Sequence, residues 1–289
     1  MLINIILQTL VFLPLIYGVY LSYYILRIPD LTVESSFVTG AVFFTRALEQ
    51  GAGPVSAIVI GLVGGIVVGF SVSLLQAKER IPPLISGILM LFMMYPLNLI
   101  LLNRPNVSLL SYESYYSVSA YSSDTVHLVG AAVILGSVTL ILSATLSSKI
   151  GLMLRAFGVN GRLFQMLGKK SDYYRSFGLI LSNALAGLSG IMTALLNGYT
   201  DINMGVGMAL VGIGVVIIGH HLEERFVVRS TILKALMCCF FAAFLYFMAM
   251  HLCLFLGLNP LYLKIVMAGI LIILLMVQPN QIMLRRGQS

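Results

Sequence analysis

The segment GLVGGIVVG, residues 61–69, places Gly61, Gly65 and Gly69 at successive four-residue steps within a long apolar stretch. On a helix these three glycines share one face, where a second helix can approach more closely than larger side chains would allow. The stretch GLILSNALAGLSG, residues 178–190, carries a similar set of small residues at Ala184, Gly187, Ser189 and Gly190. Both patterns predict close helix packing and imply no ligand.

The composition around these stretches is that of a membrane protein. Hydrophobic residues make up 59% of the 289 positions, charged residues 9%, and the mean hydropathy is +1.01. A membrane helix needs about 20 mostly apolar residues, because lipid offers no hydrogen-bond partner to the backbone. Several stretches reach that length, whereas the short alternating segments of a β-barrel are missing. The sequence therefore predicts an all-α protein in a lipid bilayer.

Hydropathy predicts about nine transmembrane helices (8–10) in a single transmembrane domain covering residues 1–289. The second and seventh are short for a bilayer, which suggests broken or partly re-entrant helices. The predicted spans are 5–26, 35–50, 55–76, 82–102, 126–147, 176–198, 204–219, 230–256 and 261–278.

The basic residues predict the orientation. If the loop 148–175 is cytoplasmic and the spans alternate, fourteen Lys and Arg residues fall on the inner side and three, Arg46, Arg104 and Lys264, on the outer side. Cytoplasmic loops retain Lys and Arg, so the N-terminus is expected outside and the C-terminus inside. The alternative is an N-terminus inside with no first span, because residues 1–26 carry no charge that would distinguish the two. The net charge of +7 is explained by this retention, with no need for a nucleic-acid partner.

Two short segments resemble each other. RIPDLTVESSFVTGAV at 27–42 and GYTDINMGVGMALVGI at 198–213 each place an Asp before a polar or glycine-rich break, and each then enters a short span. The pairs are Asp30 with Asp201 and Thr32 with Asn203. In the predicted topology the breaks lie towards opposite faces, which indicates two inverted repeats with broken helices, at about 5–102 and 176–278. The alternative is chance similarity between two helix starts that both use Asp as a cap.

Polar residues within or next to the spans are costly in lipid and are therefore candidates for a translocation pathway. For the asparagines an interhelical hydrogen bond is as good an explanation, and for the two aspartates helix capping is a better one. The candidates are Asp30, Thr32, Glu34, Asn98, Asn183, Asn197, Asp201 and Asn203.

Several chemistries are not indicated. LGKKS at 167–171 lacks the preceding glycine of a phosphate-binding loop, so no nucleotide site is expected. The adjacent His220 and His221 point to different helix faces and make a poor metal pair. We expect no enzyme activity, no metal and no cofactor in this chain.

The central basic loop carries a resemblance to a family. Arg155, Ala156, Gly158 and Asn160, then Leu167 and Gly168, then the span opening GLILSNALAGLSG, resemble permease subunits of bacterial ABC importers. The superfamily is that of branched-chain amino acid and monosaccharide permeases. Within it, the sequence is most similar to the single-permease subgroup associated with tryptophan, tyrosine or uncharacterised substrates. IPDLTVESSFVTGA resembles the start of that subgroup's second span, which has a glycine where Ser35 or Ser36 stands.

This resemblance implies a type II ABC importer-like fold in the bacterial cytoplasmic (inner) membrane. The partners would be two cytoplasmic ATPase subunits that bind ATP and Mg, a second permease copy in a homodimer, and an extracytoplasmic solute-binding protein. The loop 148–175 would hold the coupling helix, whose apolar residues Leu152, Leu154, Phe157, Leu163, Phe164 and Leu167 would enter a groove of the ATPase. An ordinary loop held inside by its charge is the alternative. The implied coupling residues are Arg155, Ala156, Phe157, Gly158, Asn160, Leu163, Phe164, Leu167 and Gly168.

The predicted function is thus that of a transmembrane permease subunit for a small polar organic solute, foremost an amino acid and among these an aromatic one. An ion-coupled secondary transporter with inverted repeats is the alternative, with Asp30 and Asp201 as candidate coupling acids.

Overall fold

The computed structural model describes residues 2–77, 81–110, 112, 124–166, 168, 170–226 and 231–257, with six single positions between 262 and 276. Nearly all of them are helical, which confirms the predicted all-α class. The helices are α1 Leu2–Val19, α2 Thr32–Glu49, α3 Pro54–Leu75, α4 Pro83–Leu102, α5 Asp124–Ser147, α6 Lys149–Val159, α7 Gly161–Met166, α8 Ser171–Asn197, α9 Met208–Phe226 and α10 Ile232–Phe255. The first helix continues as a π-helical turn, Tyr20–Ile25, and a 3₁₀ turn, Ile202–Gly205, precedes α9.

Helices occur at eight of the nine predicted spans, and seven helical segments are long and apolar enough to cross a membrane in the described part of the chain. The eighth helix, α2 at the predicted span 35–50, is not among these seven segments. It buries 14 of its 18 residues, many of them Ser, Thr or Gly, so it is an interior helix covered by other helices. Most of the ninth predicted span, 261–278, lies outside the described residues.

The glycine stripe of α3 packs on α8, where it meets Ala184 and Gly187 of the second small-residue set. A Cβ added at Gly65 of α3 would lie 2.7 Å from the Asn183 carbonyl oxygen of α8, and one at Gly69 would lie 2.8 Å from the Ile180 Cα. Real Cβ atoms do not approach other atoms so closely, so only glycine fits. The stripe read from the sequence at 61–69 is therefore the contact surface between α3 and α8.

Helix α2 closes this contact from a third side. A Cβ at Gly40 would lie 2.5 Å from the Gly187 carbonyl oxygen, and one at Gly190 would overlap the Phe37 carbonyl oxygen. The helices α2, α3 and α8 thus meet with backbone against backbone, at positions where each contributes glycine. This three-helix contact is the centre of the unit formed by residues 1–244.

The remaining helices of this unit surround the centre. Helix α1 packs on α8, where the hydroxyls of Ser182 and Ser189 donate to the carbonyl oxygens of Gly18 and Val11, both over 2.8 Å. Helix α4 packs on α2, and α5 and α9 pack on α1. Residues 245–289 form a separate unit, of which the described part is mainly the last turns of α10.

A short antiparallel ribbon, absent from the sequence-based prediction, joins two connections at one end of the bundle. Strand β1, Asn106–Ser108, pairs with strand β2, Tyr199–Asp201. The Thr45 and Thr200 hydroxyls lie 2.7 Å apart, which holds the ribbon against the end of α2. At the opposite end Arg175 donates to the Gln76 carbonyl oxygen over 2.7 Å, so the end of α3 and the start of α8 meet, as the predicted topology requires.

The central glycines generate a stability prediction. Gly190→Ala must push α2 away from α8, and overpacking of this kind costs about 2–3 kcal/mol. We expect the melting temperature of the detergent-solubilised protein to fall by about 5 °C or more. Gly136→Ala in α5 is the matched control, because a Cβ there meets no atom within 4 Å. Equal melting temperatures for the two variants would contradict the backbone contact.

Candidate functional site

Asp30 and Asp201 each begin a turn in the same way. The Thr32 backbone N–H donates to Asp30 Oδ1 over 2.9 Å, and the Asn203 backbone N–H donates to Asp201 Oδ1 over 2.6 Å. In both cases an Asp side chain caps the backbone two residues further on. The capping explanation of the sequence echo therefore holds for both aspartates.

Asp30 also belongs to a closed polar network with α8. Asn183 Nδ2 donates to Asp30 Oδ2 over 2.9 Å, and Asn183 Oδ1 accepts from the Ser36 hydroxyl over 2.6 Å. The Thr32 hydroxyl lies 2.5 Å from Asp30 Oδ1 and 3.0 Å from Asn183 Oδ1, so its single hydrogen can be given to one of them at a time. All four residues are at most 3% exposed. In this conformation the network joins α2 to α8 and offers no open surface to a solute.

The network lies halfway along a helix that is long and apolar enough to cross a membrane. Asn183 is close to the midpoint of this helix, α8, which has 27 residues. Helix α2 starts at Thr32, in contact with Asn183, and so begins beside the middle of a candidate membrane span. It ends at the same end of the bundle as the β1–β2 ribbon.

Glu34, in the first turn of α2, contacts the start of another helix. The Ala209 backbone N–H, in the first turn of α9, donates to Glu34 Oε1 over 3.1 Å. From there α9 runs in the direction opposite to α2, since Gly212 packs on α1 at Val19 and His220 packs on Tyr24. Two helices with opposite directions thus begin side by side at mid-depth. That is the geometry which two inverted repeats would give at this place, while the repeat boundaries stay a prediction.

The other pathway candidates lie apart from this centre. Asn98 is 2% exposed in α4, and its Oδ1 has no hydrogen-bond partner among the described residues. Asn197 is exposed at the end of α8. Asp201 and Asn203 belong to the turn beside the ribbon, where Asn106 Nδ2 donates to Asp201 Oδ2 over 3.1 Å. Of the eight candidates, the structure brings together Asp30, Thr32 and Asn183, with Glu34 next to them.

The candidate coupling segment consists of α6 and α7, which are held closely on the membrane domain. A Cβ at Gly158 would overlap the Ile25 carbonyl oxygen at the end of α1, and one at Gly151 would overlap the Leu146 backbone at the end of α5. Arg155 Nη2 donates to the Leu146 carbonyl oxygen over 3.3 Å. Gly151 and Gly158 are therefore the points at which α6 contacts the ends of α5 and α1.

The apolar residues of the segment are divided between two faces. Leu154, Phe157 and Phe164 are at most 7% exposed, and the two phenylalanine rings meet edge to face. Their predicted insertion into an ATPase groove needs correction, because they pack against their own chain. Exposed apolar side chains are instead Ile150, Leu152, Val159 and Met166.

The remaining predicted coupling residues lie on or beside the outer face. Ala156 is exposed, and the exposed Asn160 separates α6 from α7. Gly168 has a φ of +70°, a backbone conformation that favours glycine. The side chain of Leu163 and the whole of Leu167 lie outside the described residues.

Two contributors were missed at the sequence level. Ser36 completes the central network, although the sequence indicated only that this position departs from the glycine of related permeases. Arg175 is 8% exposed; its guanidinium carbon lies 5.7 Å from the Phe157 ring centre, and its Nη1 donates to the Gln76 carbonyl oxygen. A basic residue at the start of a span looks like one more inner-side charge, and its burial depends on neighbours far away in the chain.

In the described part of the chain, no three His, Cys, Asp or Glu residues are grouped so that they could hold a metal ion. The prediction that this chain has no metal site stays a prediction, as does the absence of a nucleotide site.

Comparisons with known proteins place this architecture in a family. The family model described as branched-chain amino acid transport system / permease component matches residues 1–276. An uncharacterized protein of Rickettsia prowazekii (strain Madrid E) is 40% identical over 266 residues, covering 92% of this chain and 93% of the relative. The tyrosine transport system permease protein of Clostridioides difficile (strain R20291) is 29% identical over 270 residues, covering 93% and 88%.

Among solved structures, PsaBC from Streptococcus pneumoniae in complex with Fab is similar over 84% of this chain and 89% of that chain. The sequence identity is 11% and the TM-score 0.40, a likeness too distant to support an argument. The family match covers nearly the whole chain and agrees with the residues that carried the resemblance in the sequence. The chain belongs to the family of permease components of branched-chain amino acid transport systems.

Proposed function

We propose that this chain is the transmembrane subunit of an ATP-driven importer and forms the translocation pathway for a small polar organic solute. The chain itself binds no ATP, Mg or other cofactor and catalyses no reaction. ATP hydrolysis belongs to two cytoplasmic ATPase subunits, and an extracytoplasmic binding protein delivers the solute. Two copies of the chain form the pathway in the bacterial cytoplasmic membrane.

The observation that carries the proposal is that α6 and α7 pack on the membrane domain with one face and expose apolar side chains on the other. Gly151 and Gly158 hold α6 against the ends of α5 and α1, and the Phe164 ring holds α7 against Phe157 and Tyr174. On the other face Leu152, Val159 and Met166 are 59%, 68% and 84% exposed. A helix pair that is rigidly attached on one side and apolar on the other suits a partner that must move the spans as a rigid body. Basic residues around the pair favour the cytoplasmic side.

Membership of the family supports the substrate class. Its model describes branched-chain amino acid transport, and one relative is named as a tyrosine permease. Amino acids, aromatic ones included, are therefore the solutes we propose.

The exposed apolar face generates a test of partner binding. Met166→Glu and Leu152→Glu place a charge on the proposed contact, which costs ~2 kcal/mol or more when it is buried there. We expect the ATPase subunit that co-purifies with a tagged chain to fall about tenfold or more, as quantified by mass spectrometry. Leu110→Glu is the matched control, because Leu110 is 53% exposed next to the β1–β2 ribbon at the other end of the bundle. Equal recovery of the ATPase with all three variants would contradict the assigned face.

The energy source separates this proposal from a secondary transporter. Proteoliposomes that contain the chain with its ATPase and binding protein should accumulate a labelled amino-acid mixture only when ATP is enclosed with the ATPase. Liposomes that contain the chain alone should show no uptake under a proton or sodium gradient. Gradient-driven uptake by the chain alone would refute the importer and favour the ion-coupled alternative.

A further inference from the structure

We propose that Glu34 binds the protonated amino group of the transported solute at the middle of the membrane. The inference rests on the proposed function, since it assigns a residue to the amino-acid pathway. It concerns one carboxylate in the first turn of α2, at the point where α2 and α9 begin side by side.

The depth of Glu34 is the first argument. It lies one turn or less from Thr32 and Ser36, which both contact Asn183 near the midpoint of the spanning helix α8. A carboxylate at the middle of a bilayer is expensive and is therefore a candidate for function. Helices that begin at this depth are the usual place where transporters bind their solutes.

The exposure of Glu34 is the second argument. Val33, Ser35 and Ser36 beside it are at most 5% exposed, whereas Glu34 is only partly buried. Its backbone oxygen lies against Gly205, and its carboxylate reaches the first turn of α9. The acid therefore faces the junction between two helix starts, while its neighbours are fixed inside the bundle.

Comparison with Asp30 supports the choice of Glu34. Asp30 Oδ1 accepts from Thr32, Asp30 Oδ2 accepts from Asn183, and the residue is 3% exposed. Its acceptors are used inside the network. Glu34 also accepts a hydrogen bond, from the Ala209 N–H, but unlike Asp30 it is only partly buried.

The chemistry fits an ammonium group. One carboxylate supplies a single negative charge and no donor, which complements a group with three N–H donors and one positive charge. The positive end of α9, next to Glu34, favours the carboxylate of the same zwitterion. A multivalent metal ion would need further ligands, and the described residues offer no group of three acidic, His or Cys side chains.

Two substitutions separate recognition from capping. Glu34→Gln keeps an oxygen that can accept from Ala209 but removes the charge, and Glu34→Ala removes both. We expect Gln to preserve the melting temperature and the recovery of the ATPase, while uptake of a labelled amino-acid mixture by cells that carry the whole transporter falls about tenfold or more. Glu34→Ala should also lower the melting temperature. Glu224→Gln, at a carboxylate 61% exposed at the end of α9, is the control and should retain full uptake.

The outcomes distinguish the two levels of the proposal. If the unmodified transporter takes up no amino acid, the proposed function fails and this inference fails with it. If it takes up amino acids and Glu34→Gln does so equally well, Glu34 is only a cap for α9 and this inference alone is refuted. An equal loss of uptake for Glu34→Gln and Glu224→Gln would also refute it, because the loss would then follow from removing any carboxylate charge and not from the position of Glu34.

Discussion

The close contact of α2, α3 and α8 is the constraint on which the rest of the structure depends. The three backbones approach to distances that no Cβ can occupy at Gly40, Gly65 or Gly190. In lipid, helices gain little from burying apolar surface, and dense packing of small residues takes over that role. Because the contact admits glycine alone, it fixes the rotation and the height of each helix. The polar network of Asp30, Thr32, Ser36 and Asn183 can close only when α2 and α8 are in this register.

The close packing of α2 on α8 also explains how α2 can begin beside the middle of a candidate membrane span. Its first N–H groups have no partner within the helix and would be costly in hydrocarbon. Asp30 accepts from the first of them, and α8 covers the cap from the side. At the start of α9 the corresponding acceptor is Glu34, which comes from a different helix. Each discontinuous helix therefore has its own acid, and the two acids differ in exposure.

Much of this architecture could be predicted from the sequence. Runs of apolar residues located the helices, with the largest difference at α9, which ends at Phe226 and not at the predicted 219. The stripe at 61–69 indicated the central contact, because it follows from local periodicity. The sequence predicted α2 as a short, broken second span, but its burial inside the bundle depends on Asn183 of α8, which is almost 150 positions away from Ser36. The ribbon between Asn106 and Asp201 was missed because its two strands are far apart in the chain. Strands of three residues also carry no periodic signal. The division of α6 into a buried and an exposed face depends on where α1 and α5 end.

The π-helical turn Tyr20–Ile25 links the central bundle with α6 and α9. Its last carbonyl oxygen lies against Gly158 of α6, and the Tyr24 ring packs on His220 of α9, with centres 4.6 Å apart. A displacement of α6 would therefore reach α1. Through Tyr24 it would also reach α9, whose first turn donates a hydrogen bond to Glu34. π-helical turns are rare and frequently occur at functional sites. A short path of packed groups thus connects the surface proposed for the ATPase with the acid proposed for the solute, and it bypasses the glycine contact that keeps α2, α3 and α8 together.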